Sequence, residues 1–189
     1  MFNIRFLALA VAVTALSAMT GCAINAPSYQ PSVDNVVVLK QAGSAAVSLG
    51  EFKVQSGAVG AAAINIRAAS MVPLNGGDYA GYLAQALKTE LDLARRLDPK
   101  ALIEITGILL KNEISAGGLA RNSGEIEARF VVRRDGQIKF DKVMRGAADW
   151  EGSFLGCIAI PRAQQQYPVL VQRLLQSPYS DAQFQSAIR

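Results

Sequence analysis

Two long alternating runs, residues 124–134 and 137–150, constrain the fold of this 189-residue chain more than any other feature. In both runs apolar side chains recur at almost every second position, which is the period of a strand with one buried face. The dipeptide Asp135-Gly136 separates the runs and is a turn signal. The pattern therefore predicts a long antiparallel hairpin whose inner face covers a core.

The length of the hairpin loop follows from which residues can lie opposite each other. A two-residue loop would put Val132 opposite Lys139, although opposite residues lie on the same face of a sheet. A three-residue loop, 134–136, puts Val132 opposite Ile138 instead. We therefore predict a type I turn with Gly136 in the left-handed conformation, forming a G1 bulge.

The same register brings opposite charges together on the outer face of the hairpin. It sets Arg129 against Asp141 and Glu125 against Arg145. The net charge of the whole chain is only +4. The outer face is therefore expected to be self-neutralised and solvated, and it lacks the basic stripe that would bind nucleic acid.

Residues 78–97 form the best helix candidate. Asp78 can cap its first turn, and Asp98-Pro99 ends it. One apolar face is formed by Tyr79, Tyr82, Leu83, Ala86, Leu87, Leu91, Ala94 and Leu97. At this spacing the tyrosines are expected in the core rather than in a ligand pocket.

Shorter apolar runs complete the predicted sheet. We expect strands at 36–40, 48–54, 64–67 and 101–114, with a bulge or sharp bend at Gly107, where the alternation changes phase. Residues 70–77 are expected to be loop. The glycines of 55–63 are expected in a flexible connection, because no Lys-Ser/Thr pair follows them as in a phosphate-binding loop.

The C-terminal part predicts helices. Pro161 suits a first helical turn, and Pro168 is expected to kink or split the helix that follows. A last short helix is expected over 181–188. The predicted fold is a single α+β domain over residues 36–189, with a mostly antiparallel sheet and a long charged hairpin packed against two or three helices.

The N-terminus carries a targeting signal. Arg5 precedes an apolar stretch, 6–19, that is too short to span a bilayer. Residues 16–22 (LSAMTGC) resemble the lipobox of bacterial lipoproteins, in which the signal peptide is removed before the cysteine and lipid is attached to its thiol. The alternatives are an ordinary signal peptide cleaved elsewhere and an uncleaved anchor.

The lipobox resemblance implies a division of the chain into three parts. Residues 1–21 are the signal peptide, and 22–35, with two prolines, are a lipidated tether that spaces the domain from the membrane. Cys22 carries the acyl groups, palmitate among them. Ala23 follows it where an aspartate would favour retention in the inner membrane, so the resemblance implies the periplasmic face of the outer membrane.

A second resemblance covers most of residues 36–189. It rests on Trp150-Glu151-Gly152-Ser153-Phe154 and Ala159-Ile160-Pro161, and on their order after the helix and the hairpin. In this the chain resembles the small proteobacterial lipoproteins of the YajG type. The resemblance implies an outer-membrane lipoprotein with an α/β periplasmic domain, and it supplies no active-site residues.

The residue types needed for common catalysis are scarce. The chain has no histidine, so the usual general base and the commonest metal ligand are missing. Cys157, the one candidate nucleophile, is expected to be a buried structural thiol. The acidic residues lie mostly on alternating outer faces or helix surfaces, and Glu151, beside Trp150, is the strongest remaining candidate for acid/base work. No metal-ligand spacing exists. We therefore expect neither a cofactor nor an enzyme.

These observations predict a lipid-anchored, non-catalytic binding or assembly module of the envelope. Its partners would be the membrane, through Cys22, and an envelope protein. The candidate interaction surface is Trp150, Phe154, Leu155 and Leu119. The alternatives are an envelope enzyme, such as a lipid or sugar transferase or hydrolase, and a component that self-assembles through strand edges.

Overall fold

Two sheets and four helices make up the part of the chain that the computed structural model describes, residues 22–74 and 76–189. The signal peptide predicted at 1–21 lies outside these residues. In chain order the elements are β1 (Cys22–Asn25), α1 (Val33–Gln41), β2 (Ser48–Val54), β3 (Ile64–Ile66), β4 (Ala69–Val72), α2 (Tyr79–Leu93), β5 (Ile103–Ser115), β6 (Arg121–Arg134), β7 (Gln137–Glu151), α3 (Gly156–Tyr179) and α4 (Ala182–Ala187).

The larger sheet has the strand order β2-β5-β6-β7. Strands β5, β6 and β7 are antiparallel to their neighbours, whereas β2 runs parallel to β5. The smaller sheet has the order β1-β4-β3, with β1 parallel to β4. The predicted α+β class with a mostly antiparallel sheet and a long hairpin is confirmed.

The helices cover one face of the larger sheet. Helix α3 packs on β6 and β7, and α2 packs on β2 and β5. Fully buried side chains such as Leu174, Leu87 and Phe130 fill the space between the layers. Each of them contributes about 1.5–3 kcal/mol by leaving water. The opposite face of the sheet, called the outer face below, carries the charged side chains of the alternating pattern.

The run 36–40 is helical, so the predicted first strand is wrong. Ser32 caps α1 through its Oγ, which accepts from the Asn35 N–H at 3.3 Å. The inward residues of this helix are Asn35 and Leu39, which have the i, i+4 spacing of one helix face. Burial of that face outweighs the strand preference of three consecutive valines, because propensity differences of this kind are small.

The hairpin has a two-residue loop, so the predicted three-residue loop and its register are wrong. Arg134 pairs with Gln137, and Asp135 and Gly136 take φ of 50° and 75°, as in a type I′ turn. An irregularity then skips Lys139, and Val132 lies opposite Phe140. The bulge therefore lies in β7 instead of in the turn, and it restores the inward face that parity demands.

The two expected charge pairs form despite the different register. Arg129 lies opposite Val143 but reaches Asp141 diagonally, with Nε 2.6 Å from Oδ1. Arg145 likewise reaches Glu125 at 2.6 Å. Diagonal neighbours are within reach of long side chains, so the outer face is paired in charge.

Two further predictions need correction. The bulge of β5 lies at Leu110, where pairing with β6 shifts between Leu109 and Lys111, instead of at Gly107. The aromatic ring of Phe52 lies over Gly107, which accounts for the glycine as a close approach. Residues 70–72, expected to be loop, belong to strand β4.

Helix α3 runs unbroken past the prolines expected to begin and interrupt it. It starts at Gly156, so Pro161 lies in its second turn, and Pro168 is buried inside it. A proline in a helix interior loses one backbone hydrogen bond and normally bends the helix. Here the packing of α3 on β6 and β7 holds both halves in one 24-residue helix.

Candidate functional site

The N-terminal segment 22–35, predicted to be a lipidated tether, begins with a strand of the fold. Cys22 to Asn25 form β1, which pairs in parallel with β4 so that Cys22 lies beside Ala69. The next residue, Ala26, is buried, and its N–H donates to Val72 at 2.7 Å. Cys22 itself is exposed. A thiol at this position is accessible, yet its backbone is fixed to the domain.

Hydrogen bonds with α3 give the direction of this segment. Gln164 Nε2 donates to the Asn25 carbonyl at 2.6 Å, and Gln172 Nε2 donates to the Gln30 carbonyl at 2.7 Å. Residues 25–30 and α3 therefore run side by side in the same direction. Cys22 precedes Asn25, so it lies toward the N-terminal end of α3.

The Arg67 side chain connects three segments at the end of the molecule where Cys22 lies. Arg67 sits in the β3–β4 turn with φ of 55°. Its guanidinium donates to the carbonyls of Ala116 at 2.8 Å, Phe154 at 3.0 Å and Ser153 at 2.5 Å. The β3–β4 turn, the β5–β6 loop and the β7–α3 loop therefore meet at Arg67, which precedes Ala69, the partner of Cys22, by two residues.

Large apolar side chains are exposed on two of these loops and in the first turn of α3. Leu119 is 66% exposed, Phe154 79%, Leu155 53% and Ile158 42%. The two loops are in contact, because a Cβ added at Gly152 would lie 2.7 Å from the Leu119 carbonyl oxygen. We call these four residues the apolar patch. Single exposed apolar residues are ordinary, but a cluster is typical of an interaction surface.

Two sequence-based placements near the apolar patch are wrong. Trp150, expected in the interaction surface, is only 8% exposed and points toward Gly124 on the inner face of the sheet. Cys157, expected to be buried, is exposed in the first turn of α3. Helix α3 begins at Gly156, earlier than predicted, and this start carries Cys157 out of the core.

The sequence did not reveal Arg67 or Ile158 as members of this region. Arg67 looked like the end of a short strand, and Ile158 like part of an irregular connection. No local pattern marks either residue, because their placement depends on contacts between segments far apart in the chain.

A buried carboxylate, Glu90, joins the N-terminal segment to the helices. It is fully buried on α2 and accepts from the Tyr29 hydroxyl at 2.6 Å, the Ser32 N–H at 3.0 Å and Asn35 Nδ2 at 3.2 Å. Burial raises the pKa of Glu90, while these hydrogen bonds oppose the rise. We call these four residues the Glu90 cluster. Its sequence signal was a glutamate within the apolar face of 78–97.

The Glu90 cluster predicts an unusual pH dependence. The ordinary pKa of this glutamate is 4.5, and burial raises it in the folded chain. Folding therefore favours the protonated form, and the stability this group contributes is lost as pH rises through the raised pKa. Glu90→Gln is expected to gain stability over the native chain as pH rises above 4.5. Urea unfolding followed by Trp150 fluorescence at several pH values measures this.

Glu51→Gln is the matched control for that experiment, because Glu51 is exposed and pairs only with Lys53 at the surface. This variant controls for the removal of one carboxylate that is not buried. A stability difference for Glu90→Gln that stays constant across the pH range would contradict the prediction.

A cleft of about 410 Å³ lies between the N-terminal segment and α2, within the usual size range of ligand sites. It is lined by Ser28, Tyr29, Pro73, Leu74, Gly76, Gly77, Asp78, Gly81, Tyr82, Gln85 and Thr89. The Asp78 carboxylate accepts from the Gly81 N–H, and the Tyr82 hydroxyl donates to the Pro27 carbonyl. Its polar groups therefore support the fold.

The other candidate catalytic and metal-binding residues are not brought together in the described part of the chain. Glu151 is 82% exposed and pairs with Arg162 at 3.2 Å on the surface. Among the described residues, no group of three Cys, Asp or Glu side chains is placed to hold a metal ion. No helix in that part of the chain is long and apolar enough to cross a membrane.

Comparisons with known proteins give structural matches only. No family model and no curated protein matches the chain. Among solved structures, a Xanthomonas campestris protein of family DUF330 matches at a TM-score of 0.53 and 10% identity, over 81% of this chain and 92% of that one.

Two further matches have lower scores. A candidate lipoprotein of Caulobacter crescentus matches at a TM-score of 0.41 and 10% identity, over 76% of this chain and 88% of that one. A minor lipoprotein of Acinetobacter baumannii matches at 0.41 and 11%, over 70% and 87%. These matches do not confirm the YajG-type resemblance. The chain shares its fold with the Xanthomonas campestris protein.

Proposed function

We propose that this chain is a lipid-anchored, non-catalytic binding or assembly module, held by Cys22 at the periplasmic face of the outer membrane. The observation that carries the proposal is the position of Cys22. It ends the lipobox-like stretch, it is exposed, and it is the first residue of a strand in the folded domain. Acyl groups on this thiol would attach the domain itself to the bilayer.

The anchor would be stable if it carries several acyl chains, as the lipobox resemblance implies. Burial of an acyl chain contributes about 0.8 kcal/mol per CH₂, and one chain alone gives only reversible binding. Ala23 after the cysteine supports the outer membrane as the destination, by the same resemblance.

The binding role is supported by what the accessible sites offer. The chain has no histidine, and the cleft is lined largely by tyrosine, proline and glycine, with its carboxylate engaged in capping α2. Such a site can hold a ligand by shape and apolar contact, and it has no group positioned as a general base.

The proposal is tested by labelling the full chain with radioactive palmitate in a Gram-negative host. The native chain and Cys157→Ala are expected to take up label, whereas Cys22→Ala is expected to lose all of it. Native protein is expected in the outer-membrane fraction, and Ala23→Asp is expected to shift it to the inner membrane. Cys157→Ala is the matched control, because Cys157 is also an exposed cysteine.

Absence of label on the native chain would favour an ordinary signal peptide, whereas uptake of label by Cys22→Ala would place the acyl groups on another residue and overturn the assignment to Cys22. The non-catalytic assignment has a separate test. Turnover of an envelope lipid or glycan that either Glu151→Gln or Cys157→Ala abolishes would establish the enzyme alternative.

A further inference from the structure

We propose that the apolar patch is a membrane-contact surface, and that its occupant is the phospholipid leaflet into which the acyl chains of Cys22 insert. The inference rests on the proposed lipidation of Cys22. It adds that the domain docks on the bilayer in one orientation, with Leu119, Phe154, Leu155 and Ile158 inserted at the interface.

Strand pairing fixes the backbone of Cys22 to the domain, with no flexible linker between the two. A free tether would let the domain move away from the bilayer in any orientation. Here Cys22 is in register with Ala69, and the Ala26 N–H is bound to Val72. Lipid on the Cys22 thiol would therefore hold this end of the molecule against the leaflet.

Strand pairing and the contacts of Arg67 connect Cys22 to the apolar patch. Ala69 is two residues from Arg67, and the Arg67 guanidinium contacts the carbonyls of Ser153 and Phe154. With about 3.3 Å per strand residue and 4.8 Å between strands, this path places Cys22 on the order of 15–20 Å from Phe154. The direction of residues 25–30 along α3 points Cys22 to the same end.

The apolar patch and the adjacent Arg67 have the polarity and charge that suit a membrane interface. One phenylalanine and two leucines are exposed there on neighbouring loops, and one isoleucine is exposed in the first turn of α3. Apolar side chains of this kind enter the headgroup region to a depth of about 5–10 Å. Arg67 is exposed and forms no ion pair with any described residue. Its positive charge suits anionic headgroups. The nearby acid, Glu151, is paired with Arg162.

The proposed lipid on Cys22 favours the phospholipid leaflet as the occupant of the apolar patch. A protein partner or a second copy would have to reach this patch while lipid on Cys22 holds it beside the bilayer. The leaflet is already present at that end of the molecule, and it matches the patch in both polarity and charge.

Cys157 provides a native probe for the test. It is exposed beside the apolar patch, and it is the one free thiol of the mature chain when Cys22 is acylated. The full-length lipidated protein is reconstituted into vesicles of phosphatidylethanolamine with a minority of phosphatidylglycerol. Cys157 is then labelled with an environment-sensitive fluorophore, and quenching by spin-labelled phospholipid is compared with quenching by aqueous iodide.

The matched control carries Cys157→Ser with Ile138→Cys. Ile138 is also exposed, but it lies at the other end of β7, about 40 Å away at 3.3 Å per residue. We expect the phospholipid quencher to act several-fold more strongly on the label at 157 than on the label at 138, and iodide to show the reverse preference.

A second variant isolates the patch from the anchor. Phe154→Ser with Leu155→Ser replaces exposed side chains, so the fold is expected to persist, as circular dichroism can verify. In this variant, lipid quenching of the label at 157 is expected to fall several-fold while flotation with the vesicles is unchanged.

The outcomes separate this inference from the proposed function. A chain that fails to float and takes up label at both cysteines would overturn the anchor, and the inference with it. A chain that floats, but whose two labelled positions respond alike to both quenchers, would overturn the membrane-contact surface alone. Protection of the label at 157 from both quenchers would also overturn it, in favour of contact between copies of the chain.

Discussion

Gly146→Val is expected to destabilise the domain by about 3 kcal/mol or more, beyond the usual range for surface changes. Gly146 lies on the inner face of β7, where the backbone of helix α3 packs against the strand. A Cβ added there would lie 2.5 Å from the Leu174 nitrogen and 2.7 Å from the Leu170 carbonyl oxygen. Both are backbone atoms, so the whole helix would have to move away from the sheet.

The measurement is urea unfolding of the mature protein in mild detergent, followed by Trp150 fluorescence. Trp150 is the single tryptophan of the chain, and it is buried on the same face. Ala147→Val is the matched control, because Ala147 is exposed on the outer face of the same strand. It is expected to be close to neutral, since valine favours strands. Equal losses in the two variants would contradict the close packing of α3.

Arg96→Met is expected to destabilise the domain by about 3 kcal/mol, the cost typical of removing a buried charge from its partners. Arg96 is 2% exposed. Its guanidinium donates to the carbonyls of Ala45 at 3.0 Å and Leu39 at 3.1 Å, and to that of Ile188. Leu39 lies in the last turn of α1 and Ile188 caps the end of α4. A cation suits both helix ends.

Arg95→Met is the matched control for this variant. Arg95 is the exposed neighbour of Arg96, and the substitution leaves the buried carbonyls satisfied. Urea unfolding is expected to show a change of less than about 0.5 kcal/mol, as for other surface substitutions. Arg96→Lys is expected to fall between the two, because an ammonium keeps the charge but lacks the planar fork of the guanidinium. Equal effects of the Arg95 and Arg96 variants would refute the role assigned to Arg96.

The parts of the fold that were predicted well are those in which apolar residues recur with a clear local period. The alternation of β6 and β7 and the helix spacing of 78–97 each state which face is buried. The structure confirms most of both faces, although Ile138 is exposed and the helix ends at Leu93, four residues earlier than predicted. Asp78 caps α2 as expected, with its Oδ1 2.9 Å from the Gly81 nitrogen. Helix spacing and a capping residue are local properties, so they can be read from neighbouring residues.

The register of the hairpin strands and the packing of distant segments could not be predicted from neighbouring residues. Parity required Val132 and its partner to share a face, yet a bulge at Lys139 met that requirement as well as a longer loop would have. Three valines in 36–38 favoured a strand, but the Glu90 cluster and Leu39 stabilise a helix there. In each case two local solutions differ by little energy, and distant contacts select one of them.

Some features of the candidate site could likewise be read from the sequence, and others could not. The sequence by itself determined that Cys22 ends a lipobox-like stretch, that histidine is absent, and that apolar residues cluster at 154–155. Only the tertiary structure placed Leu119 beside them, buried Trp150, exposed Cys157, and fixed the Cys22 strand to the domain. The physical reason is that composition and short motifs are properties of neighbouring residues. Burial and orientation instead depend on hydrogen bonds such as those of Arg67, which join segments 49 and 87 residues apart.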